Sequence, residues 1–468
     1  MVQFLKDIKI KYWNNTEYKY KLEWIILFAI LGFCYFTMYY TDYMWIYDEA
    51  YQLVNCTLEG RFFDFYGYAK ANGILDITRL EVPNYDIYIF LLIAIWGIPV
   101  WIANKAFGIS IVAVPCLLWM KLLIMIFVVL ACRVFWTITE YFFEKESYRR
   151  WALFALASSA LFVLPIFEVT QADIFAVTFM LLGFYNYLKR DFRKFVFWFA
   201  IAIPFKMFAL FLFIPLLLLW EKRIIHIAFK LVLAAIPMII SWLLFYGRWG
   251  TEEKGNLTGS FIDKILGLEI FDRDVFASVF IIAYLLLCVW TYIRENDENN
   301  QLALYAAFAS FAIVFSLMHS EYPYWIMMLM PYMVLVSYNN RSKWKINTIL
   351  EMGYTWSFVI WKAYDYFYVY GSGDTYGYTL MRNVGVSPLG YRDSLRTLMD
   401  RFQIGEFMGS IHGIFFGCII ALLVINYPTD KIDTEYPQVE RGLMWCRLGA
   451  LLAYFGLEIL IGLVGVMG

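Results

Sequence analysis

The stretch Tyr85–Ala103, YDIYIFLLIAIWGIPVWIA, sets the topology of the whole chain, because its placement decides on which side of a membrane every later loop falls. It carries one charged residue, Asp86, and it is long enough to cross the hydrocarbon core of a bilayer as a helix. Its apolar character is shared by much of the chain, so its meaning depends on the overall composition and on the charges of the flanking loops.

The composition is that of a protein dissolved in lipid. Of 468 residues, 62% are hydrophobic, 21% are aromatic and only 16% are charged. A water-soluble domain of this length could not hide so much apolar surface, whereas in lipid the backbone must pair its polar groups within helices. The sequence therefore predicts an all-α integral membrane protein. Its net charge of −1 offers no basic surface for nucleic acid.

Apolar runs mark about thirteen transmembrane helices besides Tyr85–Ala103. Two of them are short and meet at Pro204-Phe205-Lys206, which predicts a broken helix at that point. The predicted spans are 24–41, 109–138, 151–167, 172–188, 195–205, 206–220, 226–246, 275–293, 301–318, 324–338, 345–365, 407–426 and 442–467.

Loop charge places Tyr85–Ala103 on the membrane surface. If this stretch crossed, the basic segments 144–150 (EKESYRR) and 189–194 (KRDFRK) would lie opposite the lysine-rich N-terminus. If it lies along the outer interface, these segments share the N-terminal side, as the positive-inside rule requires. We therefore expect a multi-pass protein of the cell membrane with a cytoplasmic N-terminus, an outer C-terminus and interfacial helices in the first outer loop.

This map gives the outer face three loops, 42–108, 247–274 and 366–406, and short turns near residues 168–171, 206 and 319–323. It also predicts two modules, a catalytic transmembrane module over 1–345 and a C-terminal transmembrane module over 346–468. The first part of the first outer loop is acidic, with Asp42, Asp48, Glu49, Glu59, Asp64, Asp76, Glu81 and Asp86.

Asp48-Glu49 stands out in that loop because it follows the first span within a few residues. A carboxylate held near a substrate by a rigid helix end could accept a proton from a hydroxyl as a general base. The alternative is a solvated acidic pair that closes a helix.

Gln171 and Asp173 enter the span 172–188, where an acid and an amide are costly unless they face a polar cavity. Asp173 also fits a simple helix start, which the helix dipole favours. Lys206 at the predicted break could hold a phosphate or extend to the interface as an ordinary lysine. Arg248 in the next outer loop is a further cation candidate.

His319-Ser320-Glu321-Tyr322 closes another span on the same face. His319, Glu321 and Tyr322 are candidates for substrate binding, although a lone histidine is more often a structural hydrogen-bonding group. The three histidines have no zinc-ligand spacing, so no metal site is predicted.

These segments, in this order, resemble the GT-C superfamily of membrane glycosyltransferases. The matching segments are Asp48-Glu49, Pro83-Asn84-Tyr85, Gln171-Ala172-Asp173, Pro204-Phe205-Lys206 and His319-Ser320-Glu321-Tyr322. The resemblance covers about residues 20–340. The chain departs from the family pattern in lacking a double proline at 83–84 and an arginine in the last turn.

The resemblance implies transfer of a hexose-type sugar from a polyprenyl-phosphate donor to an acceptor hydroxyl on the outer face, with inversion. Asp48 would be the base, Glu49 and Asp173 would orient it or the acceptor, and Lys206, Arg248 or His319 would hold the phosphate. The acceptor would be a glycan, a lipid or a protein, in contact with membrane lipids. No cofactor is required, and the family pattern is compatible with a divalent metal ion.

Two other functions use the same residues. A transporter or flippase for a lipid-linked or polar solute would use intramembrane ionisable groups as a coupling pathway. The hydropathy shows no inverted repeat, and the charges favour one face over the midplane. A non-catalytic assembly or anchoring subunit is the third alternative.

Overall fold

The computed structural model of the chain describes residues 21–38, 41–79, 82–247, 278–295, 297–317, 322–366, 370, 395–428 and 435–467. Over these residues the regular structure is helical, which confirms the predicted all-α class. The α-helices of the described residues, numbered in chain order, are α1 Lys21–Thr37, α2 Thr41–Leu58, α3 Phe65–Asn72, α4 Ile87–Phe107, α5 Val114–Thr139, α6 Glu146–Ala157, α7 Ala160–Val163, α8 Ile174–Leu188, α9 Phe192–Phe205, α10 Ala209–Trp220, α11 Ile224–Phe245, α12 Val279–Ile293, α13 Gln301–Leu317, α14 Met330–Asn339, α15 Trp344–Asp365, α16 Leu395–Arg401, α17 Met408–Ile425 and α18 Arg441–Met467.

Five helical segments within the described residues are long and apolar enough to cross a membrane, and two bent helix pairs raise the number to seven. Helices α8, α10, α12 and α13 are apolar but shorter. The structure thus shows the helical membrane character that the composition predicts, while the count of thirteen spans stays a prediction.

Two breaks shape the bundle. The predicted break near Pro204 is confirmed, because α9 ends at Phe205 and Lys206 adopts an extended conformation before α10. The predicted continuous span 151–167 is wrong in detail, since α6 and the following helical segment meet at a bend of 61°. At this bend the hydroxyl of Ser158 donates to the carbonyl of Phe154, a contact that competes with helical pairing and bends helices.

The basic turns gather at one end of the bundle. Arg190 donates to the carbonyl of Asp297 over 2.7 Å, and Arg341 donates to the carbonyl of Phe142 over 3.1 Å. Lys222 donates to the carbonyl of Arg294. We call this the basic end and the opposite end, where Asp173 and Lys206 lie, the carboxylate end.

Helix α4 starts and finishes on the carboxylate side. Tyr85, just before it, lies beside Lys206. Helix α5 starts there too, because Tyr43 donates to the carbonyl of Met120 near its beginning, and it then runs 26 residues toward the basic end. The link from Phe107 to Val114 reaches at most about 25 Å, less than the roughly 30 Å of a hydrocarbon core. Helix α4 is itself one of the five segments that are long and apolar enough to cross, so its placement on the bilayer surface stays a prediction, which the short link to α5 favours.

The C-terminal helices pack into the rest of the bundle. Arg447 of α18 pairs with Glu351 of α15 and donates to the carbonyl of Ala155 at the end of α6. This places a buried guanidinium over the backbone groups that the bend between α6 and α7 releases, as a break inside a membrane protein requires. The predicted division between residues 345 and 346 stays a prediction.

Candidate functional site

The core of the site is an ion pair between two neighbouring helix ends. Asp173 immediately precedes α8 and Lys206 immediately follows α9, and since these helices form an antiparallel hairpin, the two side chains meet. The Nζ atom of Lys206 lies 2.9 Å from Oδ1 of Asp173. The Asp173 side chain is fully buried, so its charge needs this partner.

A second carboxylate, Asp42, completes the cluster. The Nε2 atom of Gln171 donates to Oδ2 of Asp42 over 2.6 Å, and Tyr324 also hydrogen-bonds the Asp42 carboxylate. Asp42 lies in the first turn of α2, directly after the first predicted span. In the sequence Asp42 is one of eight acids in loop 42–86, and nothing in the local pattern ranks it above Asp48.

Aromatic rings wall the ion pair. The Lys206 ammonium lies 5.0 Å from the ring centre of Tyr85 and 4.9 Å from that of Trp325, which are cation–π distances. Tyr322 stacks on Tyr324 with ring centres 5.6 Å apart. Burial, followed by the negative charges of the two aspartates, raises the pKa of Tyr85 well above its usual range, so its phenol stays neutral.

The turn that carries Gln171 and Asp173 is strained. It follows a π-helical segment, Leu164–Glu168, and its Thr170 has a φ of +58°. A β-branched residue rarely adopts this left-handed conformation, which costs about 1–3 kcal/mol and concentrates at functional sites. The whole turn is buried, so tertiary packing must hold it in place.

Besides the ion-paired Oδ1 of Asp173, three buried side-chain oxygens of this turn have no hydrogen-bond partner among the described residues: Oγ1 of Thr170, Oε1 of Gln171 and Oδ2 of Asp173. Each of these residues is at most 1% exposed. A buried acceptor without a donor costs about 1–3 kcal/mol, so a ligand that brings hydroxyl groups would be favoured here.

Asp48 has a different environment. Its Oδ2 accepts hydrogen bonds of 2.8 Å from the backbone amides of Ile74 and Leu75 and from the hydroxyl of Thr78, and its Oδ1 accepts one from Gln52. These four donors occupy the two oxygens of Asp48 and leave little room for a substrate hydroxyl. Asp48 thus anchors the segment 73–79, and its role as the base stays a prediction.

Of the remaining predicted site residues, one lies near the cluster and three lie outside the described residues. Glu49 is buried, and its charge acts on the hydroxyls of Tyr66 and Tyr85, so it lies beside the cluster. Arg248, His319 and Glu321 lie outside the described residues, and their binding roles stay predictions.

The fold and the site together define a multi-pass helical membrane protein with a polar cluster at the end opposite its basic turns. No protein-family model, curated protein or solved structure matches the chain.

Proposed function

We propose that this protein is a membrane glycosyltransferase that moves a hexose-type sugar from a polyprenyl-phosphate donor to an acceptor hydroxyl. The observation that supports it best is the cluster of Asp42, Asp173 and Lys206, which joins two carboxylates to one cation and leaves hydroxyl-accepting oxygens unfilled. The resemblance to GT-C enzymes in the order of the site segments adds to this support.

The chemistry needs a base on the acceptor and positive charge on the leaving group. Asp42 would take the proton from the acceptor hydroxyl while that oxygen bonds to the anomeric carbon of the sugar. The bond from this carbon to the phosphate oxygen breaks on the opposite face, which inverts the configuration. Polyprenyl phosphate leaves as an anion that needs no protonation, and Lys206 would stabilise its charge.

Asp42 suits the role of base better than Asp48. It receives hydrogen bonds from two side chains, Gln171 and Tyr324, whereas Asp48 fixes two backbone amides. Asp173 would hold Lys206 in position, and the free oxygens of Gln171 and Asp173 would accept sugar hydroxyls. This assignment moves the proposed base by six residues and gives Asp173 the role of holding Lys206, while Lys206 keeps its predicted role at the phosphate.

The proposed side of the reaction is extracytoplasmic. The basic turns lie together at one end of the bundle, and the positive-inside rule assigns such an end to the cytoplasm. The carboxylate cluster would then face the outer leaflet, where a lipid-linked donor can present its sugar to a glycan, lipid or protein acceptor.

A transfer assay with the purified protein in nanodiscs tests the proposal. Radiolabelled polyprenyl-phosphate hexoses would be supplied with candidate acceptors, with and without EDTA to test for a divalent metal. Asp42→Asn should lower the transfer rate roughly 10²- to 10⁴-fold with unchanged thermal stability. Asp64→Asn is the matched control, because Asp64 lies in the same loop with its side chain 43% exposed. Normal transfer by Asp42→Asn would remove Asp42 from the role of base.

One observation favours the alternative of a transporter or flippase. Bundles with broken helices that carry ionisable residues at the breaks are typical of secondary transporters, and Lys206 and the bend after Ala157 fit that description. Flux measurements in proteoliposomes distinguish the two functions. Movement of a lipid-linked sugar or polar solute across the bilayer, with no donor consumed, would support transport.

A further inference from the structure

Lys121 is a fully buried lysine near the start of an apolar helix, α5, and is not part of the ion pair of the site. Its Nζ atom lies within hydrogen-bond distance of three backbone carbonyls: Cys34 at 3.1 Å, Met38 at 2.5 Å and Phe167 at 2.9 Å. An ammonium has three N–H donors, which matches these three acceptors.

The three carbonyls belong to the two segments that lead into the site. Cys34 and Met38 lie in and just after the last turn of α1, and Met38 is four residues before Asp42. Phe167 lies in the π-helical segment that runs into Gln171 and Asp173. Each segment thus reaches a residue of the site within a few residues of its contact with Lys121.

Carbonyls at a helix end are short of helical partners, and a cation there is favoured by the helix dipole. The Cys34 carbonyl already accepts from the amide of Met38, so this need concerns chiefly the carbonyls of Met38 and Phe167. Inside a membrane protein these groups cannot turn to water, so a buried donor must satisfy them. Lys121 meets this need for two separate helix ends at once. Its position therefore fixes the distance between them.

We infer that Lys121 is a positioning residue, which holds the Asp42 segment and the Gln171–Asp173 turn at a fixed distance from each other. The hydrogen bond from Gln171 to Asp42 joins the same two segments at the site itself. The strained Thr170 lies between the two contacts along the turn. Because strain persists only where the surroundings enforce it, the turn needs such a second attachment.

Hydrogen–deuterium exchange of the full-length protein in nanodiscs tests this inference without any substrate. Lys121→Met should raise amide exchange about tenfold or more in both segments, 30–38 and 164–175, together. Lys121→Arg, which keeps the charge and the donors, should restore most of the protection. Lys362→Met is the matched control, since Lys362 is a second buried lysine, packed on the ring of Trp361 in α15.

If Lys121→Met does not fold, Lys121→Gln replaces it, because its amide has only two N–H donors for the three carbonyls and should raise exchange in at least one segment. Unchanged exchange in either segment for a folded Lys121→Met variant, or in both segments for Lys121→Gln, would overturn the inference.

A second readout rests on the proposed function. Misplacement of a reacting group by about 1 Å costs on the order of 10²-fold in rate, so Lys121→Met should lower kcat with little change in KM for the donor. If Lys121→Met shows raised exchange but the unmodified protein transfers no sugar, the glycosyltransferase function is rejected and the positioning role is kept. Normal kcat with raised exchange would reject the catalytic consequence.

Discussion

The Nζ atom of Lys206 lies 2.9 Å from Oδ1 of Asp173, and these two residues flank the ends of a single helical hairpin. The two residues are 33 positions apart in the sequence, Asp173 just before α8 and Lys206 just after α9. Because the Asp173 side chain is buried, the pair depends on both partners. It is the most constrained contact of the site.

Removal of either partner should destabilise the protein. Lys206→Met leaves a buried carboxylate uncompensated and should lower the free energy of unfolding by about 3–5 kcal/mol. Asp173→Asn should cost less, because Lys206 retains a 12% exposed side chain and its aromatic neighbours. Thermal unfolding in detergent micelles measures both effects.

The double variant supplies the control. Lys206→Met together with Asp173→Asn should lose less stability than the sum of the two single losses, because neither charge is left alone. Strict additivity would show that the two residues do not interact in the folded protein.

The local features of this site could be predicted from the sequence, and the pairings could not. The apolar runs and the interruption at Pro204-Phe205-Lys206 are local signals, so the hairpin and the shared side of Asp173 and Lys206 follow from them. The choice between Asp42 and Asp48 depends on which backbone amides fold back onto α2. Those amides lie 26 and 27 residues beyond Asp48, a separation at which periodicity carries no information.

Two further features could not be predicted from the sequence, for related reasons. Lys121 appears in the sequence as one of two charges in the predicted span 109–138, and its three carbonyl partners come from two other segments. The bend after Ala157 falls at Ser158-Ser159, two small polar residues in an otherwise apolar stretch that did not by themselves mark a break. Both depend on tertiary contacts that satisfy backbone groups, which a span prediction from hydropathy does not include.

Gly183 should be required for the close packing of α8 against α9. A Cβ atom at this position of α8 would lie 2.5 Å from the buried ring of Phe199 on α9. Gly183→Ala should therefore force the helices apart and cost about 1–3 kcal/mol of unfolding free energy. Thermal unfolding checks this, with Gly409→Ala as the control, since a Cβ there meets no atom within 4 Å. Equal stability of the two variants would contradict the tight packing.

Stability should depend on pH through Glu221 at the basic end. Hydrogen bonds from Arg223, then from Lys230, hold the pKa of Glu221 well below its usual value of 4.5. Because the pKa of Glu221 is lower in the folded state than in the unfolded state, the ionised group stabilises the protein at pH values above its unfolded-state pKa. This contribution is lost as the pH falls toward the folded-state pKa. At pH 7, Glu221→Gln should lower the unfolding free energy by about 1 kcal/mol.

The difference in melting temperature between the unmodified protein and Glu221→Gln should be largest at neutral pH and should shrink progressively as the pH falls below about 4.5. Glu146→Gln is the control, because Glu146 forms an exposed pair with Arg150 that contributes little. A difference that is constant or grows on acidification would reject the role of Glu221.

Asp48→Asn should separate a structural role from a catalytic one. The amide nitrogen of asparagine would face donors in place of an acceptor, so the hydrogen bonds to Ile74, Leu75 and Thr78 cannot all survive. We expect a loss of about 2–4 kcal/mol and faster amide exchange over 73–79, whereas Asp42→Asn should leave both unchanged. The opposite pattern, an Asp48→Asn variant that is stable and ordered but inactive beside an active Asp42→Asn variant, would return the role of base to Asp48.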